Sequence, residues 1–224
     1  MNLLIFFLHC SFIGISLVAA SAYRKELLVS LVCIMAILSN LFVVKQINLL
    51  GYDVTCTDVF AVGISLGLNL IQEFYGKSLA RRTIWISFVC LVFYLCMSLF
   101  HLSYIPNQYD STSQAFKNIL YFTPRFVGAS LISYFVSQYF ELSFFGFLKR
   151  FFENKFFLVR NYTSILLAQL IDTVLFSLLG MYNIAGNLFH IIIISYTIKV
   201  IVIIFSTPII SLSKLIISNK KIHD

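Results

Sequence analysis

Twelve of the sixteen Lys and Arg residues stand at alternate ends of long apolar runs, and this alternation restricts the chain more than any other feature. Arg24 and Lys25 follow the first run; Lys77, Arg81 and Arg82 follow the third. Lys149, Arg150, Lys155 and Arg160 follow the fifth, and Lys214, Lys220 and Lys221 close the chain. The gaps between are nearly free of base: Lys45 stands at the end of a run, Lys117 in a loop, and Arg125 and Lys199 inside runs. Cytoplasmic loops of membrane proteins are enriched in Lys and Arg, so all four clusters belong on one side of a bilayer. Seven crossings with the N-terminus outside and the C-terminus inside satisfy every cluster. A crossing helix needs about twenty apolar residues, and the runs at 2–22, 27–47, 59–75, 83–101, 119–140, 163–181 and 190–211 supply them. The expected fold is all-α, a polytopic transmembrane helical bundle with a six-helix core plus one N-terminal hydrophobic helix.

Composition excludes the main alternatives. A chain that is 60% hydrophobic and 11% charged lacks the polar residues to coat a water-soluble domain. A net charge of +7 suits a nucleic-acid binder, but the positive-inside rule already accounts for the bases, and no nucleic-acid partner is expected. The five cysteines form no C-x-x-C pair and the four histidines are scattered, so neither a disulfide frame nor a metal or other cofactor is expected. The two longest loops, 102–118 and 141–162, leave no room for a soluble domain, and the second reads as an interfacial segment mixing bases with Phe. Residues 1–23 form an N-terminal transmembrane helix or uncleaved signal anchor, and 24–224 the core with a short basic tail. Ala19-Ala20-Ser21-Ala22 looks like a cleavage site, yet no base precedes the apolar run, which is long for a signal peptide.

Ionisable groups within apolar runs face a cavity or a partner, because lipid solvates them poorly. Glu73, Arg125, Asp172 and Lys199 are of this kind. By helical rise, Asp172 and Lys199 both lie about 14–15 Å from the short loop that joins their runs, matched in depth across a hairpin. They neutralise each other, or face one water-filled pocket. Gln169 shares a face with Asp172; Asn69, Glu73 and Gly76 form one stripe, and Gly63 and Gly67 make a G-x-x-x-G pattern that permits close helix approach. Asn40 lies mid-way along the second run, and Gln138 next to the small stripe Ser130, Ser133 and Ser137 in the fifth. Carboxylate, base and carboxamide groups from at least four helices are what a cavity for a planar polar molecule requires. Glu141, at the end of the fifth run, reads as solvated at the cytoplasmic face.

The stretch Asn69-Leu70-Ile71-Gln72-Glu73-Phe74-Tyr75-Gly76-Lys77, followed by Ala80-Arg81-Arg82, resembles the signature of the queuosine precursor transporter family, formerly an uncharacterised group of vitamin-uptake transporters. Ser39-Asn40, Arg125, Ser137-Gln138 with Glu141, Ser164, Ala168-Gln169-Leu170-Ile171-Asp172-Thr173, Lys199-Val200 and Thr207-Pro208 extend the resemblance over about residues 25–213. Asn69 and Glu141 stand where many relatives carry Asp. The resemblance implies a bacterial inner-membrane importer of 7-deazaguanine bases (queuine, or the 7-cyano or 7-aminomethyl form) salvaged for tRNA modification. Its partners would be that small molecule and the bilayer, with a homo-oligomer or an energising partner left open. The substrate-binding residues it suggests are Asn40, Asn69, Glu73, Arg125, Gln138, Gln169, Asp172 and Lys199. Asp172 or Glu73 would accept from the N–H edge of the base, and Gln169, Asn40 or Lys199 would serve its carbonyl. Phe126, Tyr134 or Phe176 would stack on the ring. Two other readings stand beside this one: the membrane subunit of a multi-component vitamin-type importer, and an intramembrane enzyme. No Walker A motif is present, so the chain itself is not expected to hydrolyse nucleotide.

Overall fold

The computed structural model describes residues 1–49, 51–55, 57–121, 123–182 and 188–223. Among them the chain forms helices α1 (Asn2–Tyr23), α2 (Lys25–Leu41), α3 (Asp58–Tyr75), α4 (Lys77–Ser103), α5 (Ser113–Leu120), α6 (Thr123–Phe151), α7 (Phe157–Gly180) and α8 (Leu188–His223). Strands β1 (Gln46–Leu49) and β2 (Tyr52–Thr55) pair antiparallel between α2 and α3, with Gln46 opposite Thr55 and Leu49 opposite Tyr52. Five segments are long and apolar enough to cross a membrane: Asn2–Tyr23, Lys77–Ser103, Ser113–Phe151, Phe157–Gly180 and Leu188–Ile210. The protein is a multi-pass helical membrane bundle. Its outer surface fits that solvent: along α4, Ile86, Val89, Phe93 and Phe100 are all exposed on one face.

Helix α3 is the axis of the bundle. Fourteen of its eighteen residues are buried, including the polar Asp58, Ser65, Asn69 and Gln72. Its glycines explain how neighbours come so close. A Cβ added to Gly67 would lie 2.7 Å from Val32 of α2 and 3.3 Å from Leu17 of α1. One added to Gly63 would lie 2.9 Å from both Ile13 and Met35. The G-x-x-x-G pattern therefore seats α3 against α1 and α2 together. Helix α1 also packs on α8, where a Cβ on Gly14 would meet Ile209 at 3.2 Å.

The four basic clusters share one end of the bundle. There Tyr75 of α3 donates to the Ser21 carbonyl of α1 (2.9 Å), and Lys149 of α6 reaches Glu73 of α3 (3.0 Å). The opposite end holds the hairpin, the C-terminus of α2 and the N-terminus of α3. It also holds the start of α6, the end of α7 and the start of α8.

Four boundaries differ from the sequence reading, each for a local reason. The second run reads as helix to residue 47, but its helix stops at Leu41 and the rest leads into the hairpin, where Gly51 supplies the positive φ of 87°. The fifth run is divided, with α5 ending at Leu120 and α6 starting at Thr123, where Pro124 fits a first helical turn. Segment 141–162 is no interfacial loop: α6 continues to Phe151 and α7 begins at Phe157. The turn between them bends through left-handed Glu153, Asn154 and Phe156. Helix α8 runs well beyond residue 211 despite Pro208. In the 102–118 loop, Asp110 accepts from the backbone N–H of Thr112 (2.7 Å), the Thr112 hydroxyl and the N–H of Ser113. The Thr112 backbone donor, above all, holds its carboxyl below the ordinary range.

Candidate functional site

A cavity of about 820 Å³ opens at the end of the bundle away from the basic clusters. Its size is that of a small-molecule site. Its wall is built by Ser39 and Asn40 from α2, Gln46 and Tyr52 from the hairpin, and Asp58 and Ala61 from α3. Phe126, Ser130 and Ser133 come from α6, Asp172, Thr173 and Phe176 from α7, and His190, Ser195 and Lys199 from α8.

Three charged groups meet there. The Lys199 ammonium donates to the Asp172 carboxylate at 2.8 Å, joining α8 to α7 at matched depth. One turn earlier on the same face of α8, the Ser195 hydroxyl donates to Asp58 at 3.1 Å. Asp58 is buried and lies in the field of both Lys199 and Asp172. Two carboxylates thus face one ammonium, so the wall presents more acceptor than donor character. Phe126 and Phe176 face each other nearly parallel (29°, ring centres 6.3 Å apart) and form the aromatic part of the wall.

Beneath this cavity lies a second polar layer between α3, α6 and α7. Gln169 donates to Ser65 (2.9 Å) and to the Ala61 carbonyl (3.3 Å), and Gln138 donates to Ser65 (3.3 Å). Asn69 donates to Asn161 (2.8 Å) and Ser164 (3.3 Å), and Gln72 to the Leu142 carbonyl (3.2 Å). Farther down, at the basic end, Arg160 is 0% exposed and holds Glu73 through both guanidinium nitrogens (3.2 and 3.3 Å). It also donates to the Lys155 and Asn154 carbonyls and lies over the Phe145 and Phe157 rings. Lys149 completes the cluster on Glu73.

The expected residues are therefore distributed over the whole axis. Asn40, Asp172 and Lys199 line the cavity; Asn69, Gln138 and Gln169 form the layer below it. Glu73 does not join them: it sits near the far end of α3, closed in by Arg160 and Lys149. Arg125 is not mid-helix but in the first turn of α6, exposed, donating to the Tyr182 carbonyl beside the cavity mouth. The expected convergence of Glu73, Arg125 and Asp172 on one pocket does not occur. Phe126 and Phe176 are wall residues, whereas Tyr134 is buried elsewhere and bonded to Ser87 (2.7 Å).

Three residues escape the sequence reading. Asp58 falls just before the apolar run and reads as loop, although an acidic residue opening a helix is the usual signal of a buried N-terminal turn. Arg160 reads as one more cytoplasmic base, and Glu141 as a solvated one-turn extension of its span. Glu141 is 1% exposed, beside Ser65 and Asn69. Asn161 is fully buried as well. Cys56 lies outside the described residues. Among those described, no cluster of His, Cys, Asp or Glu has a metal-holding arrangement.

If the Asp172–Lys199 bond holds α7 to α8, Asp172→Asn alone strands a buried ammonium, and the protein level in membranes should fall. Adding Lys199→Gln should restore it, because neither charge is then left unpaired. Quantitative blotting of both variants checks this, and equal levels for single and double mutants would remove the structural role.

A bundle of lipid-facing helices around a polar, ligand-sized cavity defines a membrane transporter rather than a soluble binder. The comparisons agree. Residues 59–213 match the family described as "Putative vitamin uptake transporter". A "Probable queuosine precursor transporter" of Bacillus subtilis (strain 168) is 30% identical over 185 residues, covering 81% of this chain and 80% of that protein. The chain belongs to this transporter family. No solved structure matches it.

Proposed function

We propose that the protein imports 7-deazaguanine bases across the bacterial inner membrane for the salvage of tRNA queuosine precursors. The observation that carries this reading is the cavity, in which Asp58, Asp172 and Lys199 stand with the Phe126 and Phe176 rings in one wall. A guanine-like edge offers N–H donors beside a carbonyl, and carboxylates with a nearby ammonium complement both. Asp58 or Asp172 takes the N–H groups, Lys199 or Asn40 the carbonyl, and the Phe pair the ring face. Gln169, Gln138 and Asn69 support these groups from below, and Arg125 braces the mouth through Tyr182.

With the basic clusters assigned to the cytoplasm, the cavity faces outward and Glu73–Arg160–Lys149 closes the inner end. Alternating access then requires that cluster to part while the cavity mouth shuts. The relative's name and the fit of the wall to a planar polar base both support this assignment of substrate. Helix α1 is retained in this reading, since α3 and α8 bury one face of it.

The deciding experiment is rescue of tRNA queuosine in cells that lack precursor synthesis and their own importer, with queuine, the 7-cyano form and the 7-aminomethyl form supplied in turn. Restored modification at low external base supports import and names the substrate. Absence of rescue by all three, with the protein present in the membrane, sinks the substrate assignment. Orientation is tested separately. In a cysteine-free background, a single cysteine at Gln108 should react with an impermeant reagent in sealed cells, and those at Ser78 and Asn154 only after permeabilisation. External labelling at Ser78 would reverse the topology.

A further inference from the structure

Of the carboxylates buried within the helices, Glu141 alone has neither a base nor a cavity. Asp172 has Lys199, Glu73 has Arg160 and Lys149, and Asp58 has Ser195 and an opening to the cavity. Among the described residues no Lys or Arg pairs with Glu141, and both of its oxygens lack a hydrogen-bond partner.

The donors nearest to it are neutral ones, on Ser65 and Asn69. Asn69 directs its amide toward Asn161 and Ser164. Ser65 already accepts from Gln138 and Gln169 and has a single hydroxyl proton to offer. Of the other unpartnered side-chain atoms in this layer, the oxygens of Gln72, Gln138 and Gln169 are acceptors and the Asn161 amide nitrogen is a donor. A buried carboxylate with only neutral donors beside it and no counter-charge is costly to keep ionised in a medium that solvates charge poorly, which favours the neutral acid.

We propose that Glu141 is the coupling-proton site of this transporter, carrying a proton while the cavity is open and releasing it when the opposite end opens. The proposal rests on the transport reading and adds its energy source. The geometry connects the two sites. Ser137 lies one turn before Glu141 on the same face of α6, and its hydroxyl stands 3.5 Å from Asp172 in the cavity wall. Substrate binding at Asp172 is thereby felt one helical turn from the proton. The one bond that forms and breaks is the O–H of the acid: a proton enters Glu141 from the cavity side and leaves it on the cytoplasmic side, accompanying the base inward. A sodium ion fits less well, since it needs an open volume among its ligands and Glu141 does not border the cavity.

The groups that face Glu141 are few. Asp172 on α7 and Tyr134 on α6 act on it electrostatically, and Tyr134 in turn is near Cys33 of α2, Cys90 and Ser87 of α4. From α3 come Ser65 and Asn69, with Glu73 a turn beyond Asn69 and already paired to Arg160 and Lys149. Of these, Asp172 is the carboxylate that acts on Glu141, and it is bonded to Lys199.

The test uses the full-length purified protein in two formats. In proteoliposomes supplied with radiolabelled queuine and the 7-aminomethyl base, an imposed pH difference (interior alkaline) should drive accumulation of about tenfold per unit for one proton per base. Glu141→Gln imitates the protonated acid, so it should still exchange labelled for unlabelled base but accumulate none above equilibrium. Glu141→Asp should restore part of the accumulation. Accumulation that follows a sodium gradient, or none in the wild type despite exchange, overturns the proposal. The second format needs no substrate: infrared difference spectra in detergent at neutral pH should show a carboxylic-acid band that Glu141→Gln removes. Loss of no such band overturns the proposal whatever the vesicles show. Should the vesicles exchange no base at all, the substrate reading fails separately, and the infrared band alone decides for or against the proton.

Discussion

Arg160→Met should destabilise the protein by about 3–5 kcal/mol, the cost typical of breaking a buried ion pair by removing one partner. The side chain has no exposure to water, and its guanidinium satisfies Glu73, two backbone carbonyls and two aromatic faces at once. Methionine fills similar space but leaves both carbonyls bare and Glu73 dependent on the partly exposed Lys149. Melting of the detergent-solubilised variant, followed by loss of monodisperse protein, should begin well below the wild type. Combining Arg160→Met with Glu73→Gln should recover much of the difference, since no uncompensated carboxylate then remains. A single mutant as stable as the wild type would show that the cluster at the basic end is no lock.

The sequence makes the ends of most helices legible because bases mark them. Lys and Arg are far more costly inside lipid than at its surface, so their alternation records which ends lie together. The Asp172–Lys199 pair is legible for a related reason: two helices joined by a short loop must place residues equally far from that loop at equal depth. Glu73 is another matter. It shares a stripe with Asn69, yet only two residues separate it from the end of α3, and helical rise alone puts it at the basic end.

Arg160 and Glu141 are misjudged because hydropathy sees a helix in isolation. Each stands where apolar runs meet charge, which in one dimension is the sign of a membrane surface. Burial of Glu141 is produced by α3 and α7 closing over the middle of α6, and burial of Arg160 by α3 presenting Glu73 to it. Neither event has a periodicity to read. The hairpin is hidden for the opposite reason: residues 41–44 continue the apolar character of α2, and the alternation of 46–49 over four residues is too short to outweigh it. Asp58 is lost with it, since that residue lies between the hairpin and the apolar run.

Asp58→Asn should reduce uptake about ten- to hundredfold, because a charged partner of a ligand hydrogen bond contributes about 1.5–3 kcal/mol. The substitution keeps the shape and an oxygen for the Ser195 hydroxyl, so the protein should remain in the membrane at its usual level. The effect should also depend on the substrate. A base with an amine on its 7-substituent brings a cation into a wall with two carboxylates and one ammonium, whereas the cyano form brings none. Removing one carboxylate leaves Asp172 and Lys199 to balance each other, and the amine-bearing form then loses its only unshared counter-charge. Competition assays should therefore show a larger loss for the 7-aminomethyl base than for the 7-cyano base. Equal losses would mean that Asp58 meets the ring edge common to both rather than the substituent. No loss for either would remove Asp58 from the site and leave Asp172 as the carboxylate that receives the base.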